Sequence, residues 1–307
     1  MAAYLFLRAA FVNHFLRTVR RQAQHSLLTS GRYSSRTIRI IGGSPRDIHP
    51  PGQDLIMIRS ALLVMLAVAV TAFMSVCALL FPLISPGENK AHKVANLWAK
   101  MLLKLTSIRV NVIGRENVLM NRPQIFMANH QSDFDILIVL AHIPGQLRWI
   151  VKKELFKIPI FGKAMKSAGY IEIDRQNHEK AMKSMEEAAQ KIREGKSVVT
   201  FPEGTRSKDG TIKPFKQGLF HLAIQAGVPI VPISIIGAHE IMPKRSLKVR
   251  PGRVTMVIGR PVDVSGYTIE TRGELIERVR GIIIRNFESG RTSGGKSLAP
   301  DRGKDVL

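Results

Sequence analysis

PQIFMANHQSDFDILIVL, residues 123–140, is where the architecture of the chain is most legible. Its first part, through Met127, is an apolar run of strand length. Its last part, from Ile136, is apolar again and continues as a helix-like segment. Between them stands the polar junction Asn129-His130-Gln131-Ser132-Asp133-Phe134-Asp135. A strand passing into a helix through such a junction is the building unit of α/β architecture. The junction also sets a histidine five positions before a carboxylate. With a helix opening near Ser132, Asp135 falls in its first turn and can reach back to one ring nitrogen of His130. That contact would fix the tautomer and leave the other nitrogen free to take a proton. Asp133 is expected to cap the helix start, and Ser132 to be a further helix-start residue. A histidine near an aspartate is more often an ordinary surface or core hydrogen bond, so the pair alone leaves catalysis and structure both open.

On both sides of this junction the alternation repeats. Strand-like runs fall at 109–113, 124–128, 148–151, 170–173, 197–201, 229–235 and 254–258. Helical periodicity lies between them, most clearly over 178–194, where Met182, Met185, Ala189 and Ile192 share one face. The expected fold is α/β, a mostly parallel or mixed sheet flanked by helices. An amphipathic helix over 269–287 ends it, so the globular domain spans 108–287. Residues 288–307 are rich in Ser, Gly, Lys and Arg and read as a disordered basic tail.

Upstream, Ser60 to Phe81 is 22 residues without a charge, long enough for a hydrocarbon core of about 30 Å. It is read as a membrane-embedded helix rather than a buried core helix. Residues 88–107 then turn amphipathic, with Val94, Leu97, Trp98, Met101, Leu102 and Leu105 recurring at three- and four-residue steps and Lys90, Lys93, Lys100 and Lys104 beside them. That pattern suits the headgroup layer and also a helix packed on the domain. Together 57–107 form the expected membrane unit. The lysines put the α/β domain on the cytoplasmic side, of the inner membrane if the chain is bacterial. Residues 1–56 hold eight arginines, no lysine and only Asp47 and Asp54. They resemble an organelle transit peptide, a disordered leader, or an over-long start with Met57 as the working initiator, the last being preferred.

The 307 residues suffice for one sizeable α/β domain with appendages. Net charge is +23, which points to a polyanionic partner: nucleic acid, anionic lipid or a phosphorylated substrate. Four Tyr and two Trp are too few for a base-stacking platform, so no nucleic-acid partner is expected. The single cysteine, Cys77, excludes a disulfide framework and a cysteine-based zinc site. A metal hydrolase built on His130 and Asp135 would need further clustered ligands, and no metal site is expected.

A second constellation, Phe201-Pro202-Glu203-Gly204-Thr205-Arg206, comes directly after the run 197–200. Gly204 permits a sharp turn that brings amide N–H groups to a ligand, Thr205 offers a hydroxyl, and Arg206 a planar fork for phosphate. Glu203 is expected to hold Arg206 or contact substrate. The plain alternative is a tight turn with a surface salt bridge. Lys152, after the run 148–151, either faces a developing negative charge or starts a solvated helix. Asp174-Arg175 closes another strand, where a simple ion pair is the plainer reading. Val231-Pro232-Ile233 is a buried strand in which Pro232 limits pairing.

The order of these blocks, His-x4-Asp, then Asp174-Arg175, then FPEGTR, then VPI, resembles the PlsC-type glycerolipid acyltransferase family, whose best-known members are 1-acylglycerol-3-phosphate acyltransferases. The resemblance runs from about residue 91 to 258. It implies an αβ domain resting on the membrane through an N-terminal hydrophobic helical segment, with insertion into one leaflet and spanning both left open. It implies His130 as general base and Asp135 as its orienting partner. Glu203, Gly204, Thr205, Arg206 and Arg175 would serve the acceptor phosphate, and Lys152 the oxyanion. The implied substrates are lysophosphatidic acid and an acyl-CoA or acyl-carrier-protein donor, with no cofactor. Rival readings are transfer to glycerol 3-phosphate or another lysophospholipid, and a non-catalytic basic protein tethered to membrane that binds lipid or nucleic acid.

Overall fold

The computed structural model describes residues 53–84, 87–174, 177–246 and 248–292. The leader before residue 53, Arg175 and the tail beyond 292 therefore lie outside the described residues.

Seven strands form one sheet: β1 (Ile108–Ile113), β2 (Ile125–Ala128), β3 (Leu147–Lys152), β4 (Ile171–Ile173), β5 (Ser197–Thr200), β6 (Ile230–Ile236) and β7 (Gly252–Ile258). Their order across the sheet is β1-β7-β6-β2-β5-β3-β4. Every pair is parallel except β6 with β7. The expected mixed α/β sheet is present. β6 pairs with β2 over residues 230–233 and with β7 over residues 233–236. Pro232, which has no N–H to give, sits just before the β7 pairing begins.

Alternation along the central strands builds two cores, one per face. Phe126 and Ala128 of β2 pack with Trp149, Val199 and Ile233 toward α2 (Glu88–Leu105) and α3 (Phe134–His142). Ile125 and Met127 face the opposite way, toward α6 (His178–Arg193), α7 (Gln217–Ala226) and α9 (Arg272–Thr292). Three shorter helices complete the described set: α4 (Lys153–Phe156), α5 (Phe161–Ser167) and α8 (Ala238–Ile241). α9 begins and ends a few residues later than its sequence pattern. It runs on past Phe287 through 288–292, a stretch with no proline to stop it.

The uncharged run lies inside α1 (Gln53–Ile84). Within it, Ile58–Phe81 has a mean hydropathy of 2.6, long and apolar enough to cross a membrane. Its two sides differ. Ile58, Leu62, Met65, Leu66, Phe73, Leu80 and Phe81 are exposed, whereas Ser60, Thr71 and Ser75 are buried against the protein. Thr71 Oγ1 accepts from Trp98 Nε1 of α2 at 3.0 Å, and Ser60 Oγ accepts from Val249 N–H at 3.3 Å. α1 is thus fastened along the domain through its few polar residues. Its outward face is continuous apolar surface, the pattern of a helix that meets lipid.

Candidate active site

Because β2, β5, β3, β4 and β6 run parallel, the loops leaving their carboxyl ends emerge on the same edge of the sheet. In open α/β sheets that edge is where ligands bind. β2 and β5 are neighbours, which brings the loops after Ala128 and Thr200 side by side although 73 residues separate His130 from Glu203. Backbone contacts stitch them together: Ser207 N–H donates to the His130 carbonyl at 2.8 Å.

His130 Nδ1 lies 2.9 Å from Asp135 Oδ2. The same carboxylate oxygen accepts the N–H groups of Gln131 at 2.7 Å and Ser132 at 2.8 Å. Asp135 is fully buried in the first turn of α3. Three donors on one oxygen hold it so firmly that the imidazole has one orientation, with Nδ1 bound and Nε2 left for a substrate. The ring stacks on Phe201, centroids 3.9 Å apart and planes 9° from parallel, and Phe201 in turn packs on Trp149. Sequence reasoning missed this aromatic platform, since Phe201 reads there simply as the end of a strand.

Arg206 Nη1 reaches Asp133 Oδ2 at 2.5 Å. This corrects the expectation that Asp133 caps α3. Its backbone is already helical (φ −67, ψ −22) and its side chain makes no cap bond, while Asp135 and the Ser132 hydroxyl take the free N–H groups. Glu203 departs further from its expected role. It is 3% exposed and makes no ion pair with Arg206, which pairs with Asp133 instead. Its two oxygens accept the N–H groups of His130 at 2.7 Å and Lys213 at 3.0 Å. Burial pushes its pKa up to about 7, against the opposing effect of those two bonds. Glu203 therefore braces the two loops. Gly204 sits at φ +70, and a Cβ there would meet Lys216 Cε at 2.6 Å, so the turn requires glycine.

These groups open into a cavity of about 420 Å³ lined by His130, Asp133, Lys152, Gly204, Thr205, Arg206 and Lys244 together with apolar side chains. Met74 and Ala78 of α1, Val94 and Trp98 of α2, and Phe161 and Met165 of α5 supply much of the apolar wall. The helix with the exposed apolar face thus also walls the pocket holding the histidine. Lys152, the last residue of β3, lines the cavity; Lys153 beside it pairs with Asp174. Lys244, which belongs to no motif in the sequence, donates to Thr205 Oγ1 at 2.9 Å and to the Arg206 carbonyl at 3.0 Å.

A family model described as Acyltransferase matches residues 109–236. A protein named 1-acyl-sn-glycerol-3-phosphate acyltransferase from Limnanthes douglasii is 30% identical over 224 residues, 71% of this chain and 79% of that one. The human protein named 1-acyl-sn-glycerol-3-phosphate acyltransferase alpha is 35% identical over 210 residues, 68% and 74% of the two chains. The chain belongs to the 1-acylglycerol-3-phosphate acyltransferase family. The crystal structure of the 1-acyl-sn-glycerophosphate acyltransferase PlsC from Thermotoga maritima shares the acyltransferase fold at a TM-score of 0.69 and 27% identity, covering 80% of this chain and 99% of that one. The matched acyltransferase segment contains both loops that build the cavity, from His130 through Arg206.

Proposed function

We propose that this protein moves a fatty acyl group from a thioester donor, acyl-CoA or acyl-carrier protein, to the sn-2 hydroxyl of 1-acylglycerol 3-phosphate, forming phosphatidic acid. The observation that carries the proposal is the Asp135-oriented His130 sharing one cavity with Arg206 and an apolar wall. His130 Nε2 takes the hydroxyl proton as the oxygen attacks the thioester carbonyl carbon. The C–S bond then breaks, and the imidazolium returns the proton to the departing thiolate, giving phosphatidate and free thiol. Asp135 steadies the positive imidazolium. No acyl-enzyme is needed: the nearby hydroxyl of Ser132 is committed to the Met242 carbonyl at 2.8 Å.

The acceptor phosphate carries about −1.5 to −2 charge at neutral pH. Arg206, Lys244 and the turn at Gly204 and Thr205 receive it, with Arg175 a further proposed contact. Lys152 stabilises the oxyanion of the attacked carbonyl. α1 embeds its exposed apolar face in one leaflet while its polar side stays on the domain, so that lipid chains pass between bilayer and cavity without crossing water. The domain then lies at the cytoplasmic face of the inner membrane.

Assaying the purified protein with lysophosphatidic acid, glycerol 3-phosphate and lysophosphatidylcholine, each with both donors, tests this reading. Preferential formation of phosphatidate is expected. Transfer to glycerol 3-phosphate alone, or to none of them, would refute it.

A further inference from the structure

Arg206 and Lys244 suffice to meet one acceptor phosphate, yet positive charge continues well past them. Residues 204–216 contain Arg206, Lys208, Lys213 and Lys216, and residues 242–250 add Lys244, Arg245, Lys248 and Arg250. The only acid in these two stretches is Asp209. Its carboxylate is occupied by Ser207 Oγ at 2.8 Å and by Thr211, hydroxyl and N–H, at 2.7 and 3.1 Å. Those bonds hold it well below the usual carboxylate range.

The cations converge on the outer side of the turn that walls the cavity. Lys213 Nζ donates to the Arg206 carbonyl at 3.1 Å, where Lys244 also donates. The Lys216 stem covers Gly204. Lys208, Lys216 and Arg245 are exposed. Among the described residues, none of Lys208, Lys213, Lys216, Lys244 and Arg245 pairs with a carboxylate. Their mutual repulsion shows at Lys244, which is held below the ordinary lysine range by burial, then by Lys213, Arg206, Lys208 and Arg245. A cluster that repels itself and borders a reaction cavity fits a polyanion that enters with the reaction.

Resting on the acyl-transfer reading, we propose that Lys208, Lys213, Lys216 and Arg245 form the docking site for the phosphate-bearing end of the acyl donor. Both donor types present the thioester on a phosphopantetheine arm, so the shared ligand chemistry is a phosphate at the far end of a flexible chain. In acyl-CoA the arm leads on to a phosphorylated nucleotide; in a carrier protein it leads to an acidic surface. Docking this end on the outer cations threads the arm past Gly204 and Thr205 and delivers the thioester to His130. Arg206 and Lys244, which line the cavity, remain for the acceptor.

The test is two-substrate kinetics on the full chain in detergent micelles, comparing the wild type with Lys208→Glu/Arg245→Glu. Both positions are exposed, neither lines the cavity, and kcat itself reports that the variant is folded. The donor KM should rise about tenfold, with kcat and the lysophosphatidic acid KM changed by less than about twofold. Adenosine 3′,5′-bisphosphate should compete with acyl-CoA in the wild type and lose that effect in the variant. A rise for both donors identifies the arm phosphate as the docked group. A rise confined to one donor overturns the assignment to the arm phosphate that both donors share. An unchanged KM for both donors overturns the proposal, as does a rise in acceptor KM alone, or a loss of binding to anionic vesicles with donor kinetics intact. Calorimetric titration with CoA reads the same patch without turnover, so a wild type that binds CoA but does not acylate lysophosphatidic acid would fault the acceptor assignment rather than this one.

Discussion

Replacing Asp135 by asparagine separates the charge of the carboxylate from its geometry. All three donors to Asp135, His130 Nδ1 and the N–H groups of Gln131 and Ser132, converge on the single oxygen Oδ2. The other oxygen is buried with no hydrogen-bond partner among the described residues. An asparagine oxygen placed at Oδ2 keeps every bond, and its amide takes the place of the unpartnered atom. The structural cost is one buried unsatisfied NH₂, about 1–3 kcal/mol. The electrostatic cost falls on the imidazolium formed as the hydroxyl is deprotonated. Two unit charges about 4 Å apart at an effective dielectric of about 20 interact by about 4 kcal/mol, which corresponds to roughly a thousandfold in rate. The assay is thiol release with saturating lysophosphatidic acid and acyl-CoA, alongside thermal unfolding. We expect kcat to fall by about 10³ with a folded protein, and Asp135→Ala to unfold more readily, having lost the acceptor for two N–H groups. A fully folded Asp135→Asn retaining more than about a tenth of wild-type kcat would overturn this, because the negative charge would then contribute less than about 1.4 kcal/mol.

Arg206→Ala should chiefly raise the acceptor KM, since it removes a phosphate contact and frees Asp133 to repel the same group; an unchanged acceptor dependence in initial-rate kinetics would count against it. Glu203→Ala strands the buried N–H of His130 and the half-buried N–H of Lys213 and should destabilise by roughly 1–4 kcal/mol in denaturant unfolding. Glu203 also carries a pH signature. Its pKa is raised in the folded state to about 7, so its contribution is greatest below the unfolded value and is lost as pH rises through 7. Glu203→Gln should accordingly gain stability relative to the wild type as pH rises through that window. His92 works in the opposite sense. Burial, then Arg148, lowers its pKa from 6.5 to about 4, so stability present above 6.5 is lost as pH falls toward 4. His92→Phe should be less acid-sensitive than the wild type, and parallel stability-versus-pH curves would contradict this.

Much of the fold is legible in the sequence because strand alternation and strand-end motifs are local signals. The seven apolar runs are the seven strands, and the His130–Asp135 contact follows from five-residue spacing across a helix start. The hidden features depend on which strands are neighbours. Nothing local tells that β2 lies beside β5, so the Glu203 bridge to His130 N–H and the Asp133–Arg206 pair are invisible in one dimension. Glu203 reads as a partner for Arg206 or substrate, or as part of a surface salt bridge; here the turn folds inward and two backbone donors replace water. Lys244 arrives from the loop before β7, in a stretch whose only local signal is its charge. The double aspect of α1, exposed and apolar on one side and cavity-lining on the other, depends on Ser60 and Thr71, whose hydroxyls bond Val249 N–H and Trp98 Nε1 and fix its rotation against the domain.

Whether His130 performs the chemistry is decided by acyl transfer to lysophosphatidic acid with purified wild type and His130→Ala, phosphatidate being measured by mass spectrometry. An aligned general base contributes roughly 10²–10⁴ in rate, so the variant should unfold like the wild type yet give no detectable product. A folded His130→Ala that makes phosphatidate at a rate comparable to the wild type would remove the histidine from the mechanism.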